Sequence, residues 1–546
     1  MSIPLVPAPV HVVVGGGSFV LTSGEVGAPP QLAGVIQLFV DEVGEESGIS
    51  LTFAPSDSAS PVITVELSSE GLDAVARASG NRADGNAEAD ERYGLAITTE
   101  GVRVWAATPE GVFRGLTSLR QLIAAGVSDG VATLPVIEVV DGPRYAWRGL
   151  SFDVVRTFHG PETVRRVIDM LAVHKLNVLH VHLTDDQGWR IEVPSRPALT
   201  EVGSTGAIGD RPGGFYTVAE MAELVKYAAD RFITIVPEID MPGHTGAIFR
   251  SYPELAPTKG FSGDIAPGLA VGTLDPGRPE TWEFVGDVLD DIIPQFPNTA
   301  YIHVGGDEAF GMPVEGHAAF MERATQMVRD RGRLAVVWQE AARGNLSRQD
   351  VVQYWMDARD TGAILANEAL TAMVPEEMLG VLTETLSHVA QDVPRALEMG
   401  TKLIVSPTSR LYFDRPQGDA SRNAIQEEMR QTVGLPVYPP LSLREGVEWD
   451  PIEDTPDLVS DGQVAGMEAA IWCETITDRG ELEFLLLPRL GGLAEKAWGV
   501  PGATGWGDYA DRLGAQAALW NSRGWNWYED DSVEWSEPLR DAGEEH

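Results

Sequence analysis

From Arg144 onward, short apolar runs alternate with longer stretches in which apolar residues recur every three to four positions. The runs are Arg148–Asp153, Val178–Thr184, Ile233–Glu238, Tyr301–Gly305, Ala335–Trp338, Val351–Trp355, Leu403–Ser406 and Glu468–Trp472, and they read as buried strands. Glu162–His174, Val218–Arg231, Thr281–Phe296 and Gly316–Arg329 carry the helical period between them. Eight strands with helical crossovers predict an α/β protein with a closed parallel (β/α)8 TIM barrel.

The chain before this point has a different rhythm. Extended runs at Val10–Val14, Val62–Leu67, Leu95–Thr98 and Val102–Ala106 accompany two helical patterns, Leu32–Val43 and Gly111–Ala125. This predicts a smaller α+β domain over residues 1–142, followed by the barrel domain over 143–546 with a last helix at Tyr509–Arg523 and an acidic, Trp-rich tail. Ser79–Asp90, polar and rich in Gly, Ala and Asp, reads as an exposed loop. Two long segments interrupt the barrel pattern. Asp357–Gly400 has room for one or two extra helices, and Asp414–Asp461 is a Pro-containing excursion; long loops after barrel strands build active-site rims.

Composition adds constraints. The 546 residues are 43% hydrophobic and 22% charged, ordinary for a globular protein. Against 40 Lys and Arg stand 81 Asp and Glu, a net charge of −41, which disfavours nucleic acid and anionic membrane surfaces as partners. One cysteine, Cys473, excludes an internal disulfide and a cysteine-built metal site. No Lys or Arg precedes Arg77 and no apolar run is long enough to span a bilayer, so no secretory signal is expected and a cytoplasmic location is expected.

Barrel chemistry sits at the C-terminal ends of strands. Those ends carry Asp153 and Arg156, Asp185 and Asp186, Glu238, Asp240 and His244, Asp307 and Glu308, Trp338, Trp355, Tyr412 and Asp414, and Trp472 and Glu474. Carboxylates and an arginine suit ring hydroxyls, and three tryptophans at strand ends suit the apolar faces of a pyranose. Asp307 and Glu308 are the most informative: two adjacent carboxylates cannot both ionise cheaply, so one is disposed to act as a general acid. Neighbours on one loop are poorly placed for the usual two-carboxylate glycosidase. They suit a scheme in which the substrate's own 2-acetamido oxygen attacks the anomeric carbon.

The segments HVGGDEAF, HVHLTDDQGWRIEVPSRPALTEVGS, VPEIDMPGHTGA and AIWCETI with LLLPRLGGLAEKAW resemble glycoside hydrolase family 20, the β-N-acetylhexosaminidases, in family order from Arg144 to Trp498. The first domain resembles the family's accessory domain, with EGVFRGLTSLRQLI as its closing helix. The resemblance implies a retaining exo-enzyme that removes terminal β-linked N-acetylglucosamine or N-acetylgalactosamine through an oxazolinium intermediate, with no cofactor or metal. It implies that Glu308 is the acid/base, that Asp307 steers the acetamido group and that Tyr412 holds the acetamido oxygen. Trp338, Trp355 and Trp472 would form the walls. Arg156 would grip the 3- and 4-hydroxyls, Glu474 the 4- and 6-hydroxyls and Asp414 the 6-hydroxyl, while Asp185, His244 and His303 would brace the pocket. Departures from the family pattern are Thr157–Phe158–His159 after Arg156, Cys473 between Trp472 and Glu474, and a missing second-loop tryptophan for which Trp449 is the candidate. Three other readings compete: a disaccharide-releasing lacto-N-biosidase, a metal-dependent barrel hydrolase using His180, His182, His244, His303 and Asp307, and a non-catalytic glycan-binding barrel.

Overall fold

The computed structural model describes residues 2–58, 60–257, 263–266, 269–357, 376–502 and 505–539. Eight parallel strands close a barrel in the order Trp147–Asp153, Val178–His182, Thr234–Glu238, Tyr301–His303, Leu334–Trp338, Val351–Tyr354, Lys402–Val405 and Val464–Ile471, the last pairing with the first. Buried on both faces, these strands are mostly apolar, with His180, His182, Glu238 and Glu468 among the buried polar exceptions. Pro161–Val173, Val218–Ala229, Pro279–Ile292 and Val314–Asp330 are the outer helices after the first four strands. Thr217 opens the second with a reciprocal capping box to Glu220, which fixes where that helix starts. Only a short 3-10 turn, Gln339–Arg343, joins the fifth strand to the sixth. The segment after the sixth holds the helices Glu376–Ser387 and Val389–Glu398; residues 358–375 of it lie outside the described residues, as do 540–546 of the tail.

Ahead of the barrel, a mixed sheet runs from His11–Leu21 to Val131–Asp141 in chain order. Ala33–Ser47 and Pro109–Gly126 cover one face. Pro109–Gly126 is buried almost throughout because it serves two cores: Leu116, Leu119 and Leu122 meet the sheet, while Phe113 lies 5.4 Å from Phe232 of the barrel layer. Buried charges lock the two parts. Glu91 accepts from Arg148 Nη1 at 3.0 Å and from Arg114 Nε at 2.9 Å. Removing one partner would strand charge in the interior, so this lock is costly to break.

Two expectations change. Ser79–Asp90 is not an exposed loop: only Gly85, Asn86, Ala87 and Glu88 face solvent. The rest plugs the foot of the barrel. Ala83 packs against Trp147, Tyr301 and Ile404, the Asn81 N–H donates to the Ala465 carbonyl at 2.8 Å, and the Ala300 N–H donates to the Ala83 carbonyl at 2.8 Å. Backbone groups at the strand starts need partners, and this polar segment supplies them. Gly80 makes the approach possible, since a Cβ there would lie 2.2 Å from the Ala465 oxygen at φ +98°. The last helix is two, Trp506–Gly514 and Ala517–Ser522; the tail crosses at the break, where a Cβ on Gly514 would meet the Glu534 oxygen at 2.2 Å. Among the described residues no helix is long and apolar enough to cross a membrane.

Candidate active site

The fourth strand ends at His303, and the chain then turns through Gly305 (φ +68°) and Gly306 (φ +106°) into Asp307 and Glu308. A Cβ on Gly305 would overlap Asp240 Oδ1 at 1.5 Å, so only glycine lets the turn reach this far in. Glu308 itself is left-handed (φ +44°), as is His244 (φ +51°). Non-glycine residues hold such backbone only where surrounding contacts over-determine it, and it concentrates at functional sites.

A chain of charges converges on this turn. Arg156 Nη2 lies 2.8 Å from Asp185 Oδ2, and His182 Nε2 reaches the same oxygen at 2.8 Å. The other Asp185 oxygen is 3.1 Å from His244 Nδ1. His244 Nε2 then faces Glu308 Oε2 at 3.5 Å, Asp307 Oδ2 at 3.7 Å and Asp240 Oδ2 at 3.9 Å. Burial would lower the His244 pKa, but the charges of Asp185 and Asp240 outweigh it and raise it well above the usual range. Burial pushes the Glu308 carboxyl up to about 7; His244 opposes the rise and Asp307 adds to it. Glu308 is therefore a carboxylic acid with its proton available near neutrality, beside an imidazolium.

Aromatic rings cluster near the pair, with the Tyr412 hydroxyl within reach of the Asp307 charge. Trp338 lies 6.4 Å from Trp355 and 6.1 Å from Trp472. Tyr412 stacks on Trp355 at 6.2 Å with an interplanar angle of 11°. The indole N–H groups are spoken for: Trp338 donates to Glu238 at 2.8 Å and Trp355 to Glu340 at 3.0 Å, which fixes both rings. The guanidinium of Arg156 lies 5.2 Å from the Trp472 ring centre. At the far side both oxygens of Asp414 and one of Glu474 are buried without a protein partner. Burial, then the charge of Glu474, raises the Asp414 carboxyl well above its usual range. Such atoms are costly unless a ligand's polar groups meet them.

The structure thus gathers Arg156, Asp185, His244, Asp307, Glu308, Trp338, Trp355, Tyr412, Asp414, Trp472 and Glu474. His303, expected to brace the pocket, is wholly buried inside the barrel, stacked on His180 at 4.6 Å, and its Nδ1 lies 3.0 Å from the Gly305 nitrogen and 3.0 Å from Glu238 Oε1. Trp449 is a core residue whose N–H donates to the Gly446 carbonyl; its neighbour Asp450 pairs with Arg144, just before the first strand. The ring that does join the aromatic group is Tyr438, 6.0 Å from Tyr412 and edge-on to it. Burial, with the charges of Asp414, Glu308 and Glu474, keeps its hydroxyl neutral. Nothing in GLPVYPP marks this tyrosine out, because its place is set by a long loop without a period. Glu340 was also not foreseen, although its position two residues after Trp338 offered a signal; burial first, then Asp307 and Asp392, raise it to about 8 against the pull of Arg343.

Among the described residues, four buried groups bring one donor atom each within 4.8 Å of one another and could hold a metal ion: His180, Glu238 and His303; His182, Glu238 and Asp240; Asp185, Asp186 and His244; and Asp240, His244 and Asp307. The H-x-H histidines also contact further carboxylates. His182 spends both ring nitrogens on Glu238 and Asp185, and His180 Nδ1 lies 2.8 Å from Glu468.

Comparison with known proteins gives the family and the fold. Residues 145–501 match the catalytic domain of glycosyl hydrolase family 20, and residues 2–142 match domain 2 of that family. The chain is 34% identical over 98% of both chains to a β-N-acetylhexosaminidase of Cellulomonas fimi. It superposes on the Streptomyces plicatus N-acetyl-β-hexosaminidase in complex with thio-NAglucal with a TM-score of 0.81 at 31% identity, covering 98% of each chain. For the family 20 β-N-acetylhexosaminidase of Streptomyces coelicolor A3(2) the TM-score is 0.80 at 30% identity, over 98% of this chain and 99% of that one. This chain belongs to glycosyl hydrolase family 20 and is a glycoside hydrolase built on a TIM barrel.

Proposed function

We propose that this enzyme is a retaining exo-β-N-acetylhexosaminidase that works by substrate assistance. The observation that carries the reading is the adjacency at one strand end of Asp307 and Glu308, whose carboxyl is raised to about 7, near the aromatic cluster of Trp338, Trp355, Trp472 and Tyr412. The names of its relatives, and a Streptomyces plicatus complex with product GlcNAc, support the same substrate class.

In this scheme a terminal β-N-acetylhexosamine enters with its acetamido group between the tryptophans. Asp307 accepts the acetamido N–H and Tyr412 donates to its oxygen, which attacks the anomeric carbon as the glycosidic C–O bond breaks. Glu308 gives its proton to the departing oxygen. The cyclic oxazolinium cation is stabilised by the Asp307 charge. Water then adds to the same face that the leaving group left, Glu308 takes the water proton back, and the configuration is retained. Arg156, Glu474 and Asp414 hold the ring hydroxyls, which favours a chain end over an internal sugar.

The test compares an aryl β-glycoside of N-acetylglucosamine with the matching glucoside, both in the presence of a chelator. Cleavage of the first alone is expected. Equal cleavage of both overturns the assisted mechanism, and loss of rate on chelation points to the metal reading. Cleavage of neither overturns release of a single sugar and favours the disaccharide-releasing reading.

A further inference from the structure

We propose that Arg211, on the loop after the second barrel strand, is a positioning residue that sets the orientation of Glu474 and through it the preference between the two 4-epimers of the substrate sugar. The inference rests on the role given to Glu474 above.

Residues 204–215, STGAIGDRPGGF, hold four glycines and no repeating apolar face, so nothing local gives them a shape. Arg190 provides it. Its fully buried guanidinium donates to the carbonyls of Ser204 at 2.9 Å, Gly206 at 2.6 Å, Gly214 at 3.1 Å and Val155 at 2.6 Å. The two ends of the loop cross so closely that a Cβ on Gly213 would lie 2.0 Å from the Ser204 oxygen.

The loop so fixed reaches both hydroxyl-reading residues. The Ile208 N–H donates to the Arg156 carbonyl at 2.8 Å. Arg211 crosses to the chain after the eighth strand, where Nη2 donates to the Glu474 carbonyl at 3.0 Å and Nη1 to the Ile476 carbonyl at 2.9 Å and the Cys473 carbonyl at 3.3 Å. Nη1 also donates to Thr157 Oγ1 at 2.5 Å. The Thr157 hydroxyl bonds the same two carbonyls, at 2.7 Å to Ile476 and 3.1 Å to Cys473. From the barrel side the Cys473 N–H donates to Asp153 at 3.0 Å. The backbone carbonyls and N–H of the turn Cys473–Ile476 are therefore held by the Arg211 guanidinium, the Thr157 hydroxyl and the Asp153 carboxylate, while the Thr475 hydroxyl accepts the Gly434 N–H at 3.0 Å. This gives a physical role to Thr157, the first residue of the Thr157–Phe158–His159 stretch that departs from the family pattern after Arg156.

The Glu474 side chain gains no such anchor. Its Oε1 is 4.0 Å from Arg156 Nε, and its Oε2 is buried and unpartnered. Its carboxylate is positioned by its own backbone, which is what Arg211 holds. A carboxylate accepts a hydrogen bond from a hydroxyl only within a narrow range of distance and direction, and the two 4-epimers present that hydroxyl in different directions.

The test measures kcat and KM for aryl β-glycosides of N-acetylglucosamine and N-acetylgalactosamine with the wild-type enzyme, Arg211→Ala, Arg211→Lys and Thr157→Val, together with melting curves. For Arg211→Ala we expect KM for the preferred epimer to rise about tenfold, the ratio of kcat/KM between epimers to shrink by a similar factor, and kcat to change less than about threefold. The lysine variant reaches fewer carbonyls and falls between the two, and Thr157→Val moves the ratio in the same direction by less. The alkaline limb set by Glu308 stays in place. Wild-type turnover is read first: if neither substrate is cleaved, the functional reading fails and this proposal with it. If the wild type is active but the epimer ratio is unchanged in folded Arg211→Lys and Thr157→Val, the positioning role alone is overturned. Equal losses on both epimers, tracking the drop in melting temperature, overturn it too.

Discussion

His244 Nε2 stands 3.5 Å from Glu308 Oε2, while its Nδ1 is 3.1 Å from Asp185. The imidazolium is the larger of two positive charges, with Arg156 the other, that restrain the rise of the Glu308 pKa. Replacing it with a neutral residue should raise that pKa further and move the alkaline limb of kcat/KM to higher pH. Asn suits the test, since it tolerates the left-handed backbone at this position. His244→Asn should show an upward shift of the limb and a lower plateau rate; an unmoved limb counts against the pairing.

Glu308 must carry its proton to act. With its pKa raised to about 7, activity should be full below neutrality and fall as pH rises through that value. Glu308→Gln should lose the limb altogether. Turnover of substrates with poor leaving groups should fall by roughly 10²–10⁴, and that of activated aryl glycosides by less, because a good leaving group needs little protonation. The comparison of the two substrate types is the measurement.

Asp307 and Tyr412 act on the acetamido group in the proposed scheme, so their variants should behave alike. Asp307→Asn and Tyr412→Phe should each lower kcat by about 10² or more while the protein still melts cooperatively near the wild-type temperature. Near-normal turnover in either variant would sink the assisted mechanism.

Cys473 lies beside Glu474 but is fully buried, and burial, with the nearby charges of Asp153, Glu474 and Asp414, raises its thiol well above the usual range. The thiolate is the reactive form. The native enzyme should keep its activity through long exposure to iodoacetamide, with Cys473 labelled only after denaturation; rapid inactivation would place the thiol within reach of solvent.

Barrel strands were readable because burial on both faces writes itself as a short, mostly apolar run, and the residues just after each run had to be its C-terminal rim. Asp307, Glu308, Trp338, Trp355 and Trp472 follow from that rule alone. Position within the rim is another matter. His303 and Asp307 are four residues apart, yet one is inside the barrel and the other borders the pocket, because the glycine turn intervenes.

Trp449 and Tyr438 show the limit from the other side. Both lie in the same long excursion, and residue type favoured the tryptophan. The tryptophan packs into the core and the tyrosine meets Tyr412. Likewise Ser79–Asp90 has a surface composition but fills the barrel's foot, where strand ends require hydrogen-bond partners.

The chain's local pattern therefore determined which segments are strands and helices, the barrel they close and the carboxylate pair at its rim, since periodicity and burial are properties of neighbours in sequence. Tertiary structure decided the rest. The raised Glu308 pKa, the Asp185–His244 brace, Tyr438 in the aromatic group and Arg211 on the Glu474 turn all depend on groups far apart in the chain, brought within a few ångströms by loops that have no period to read.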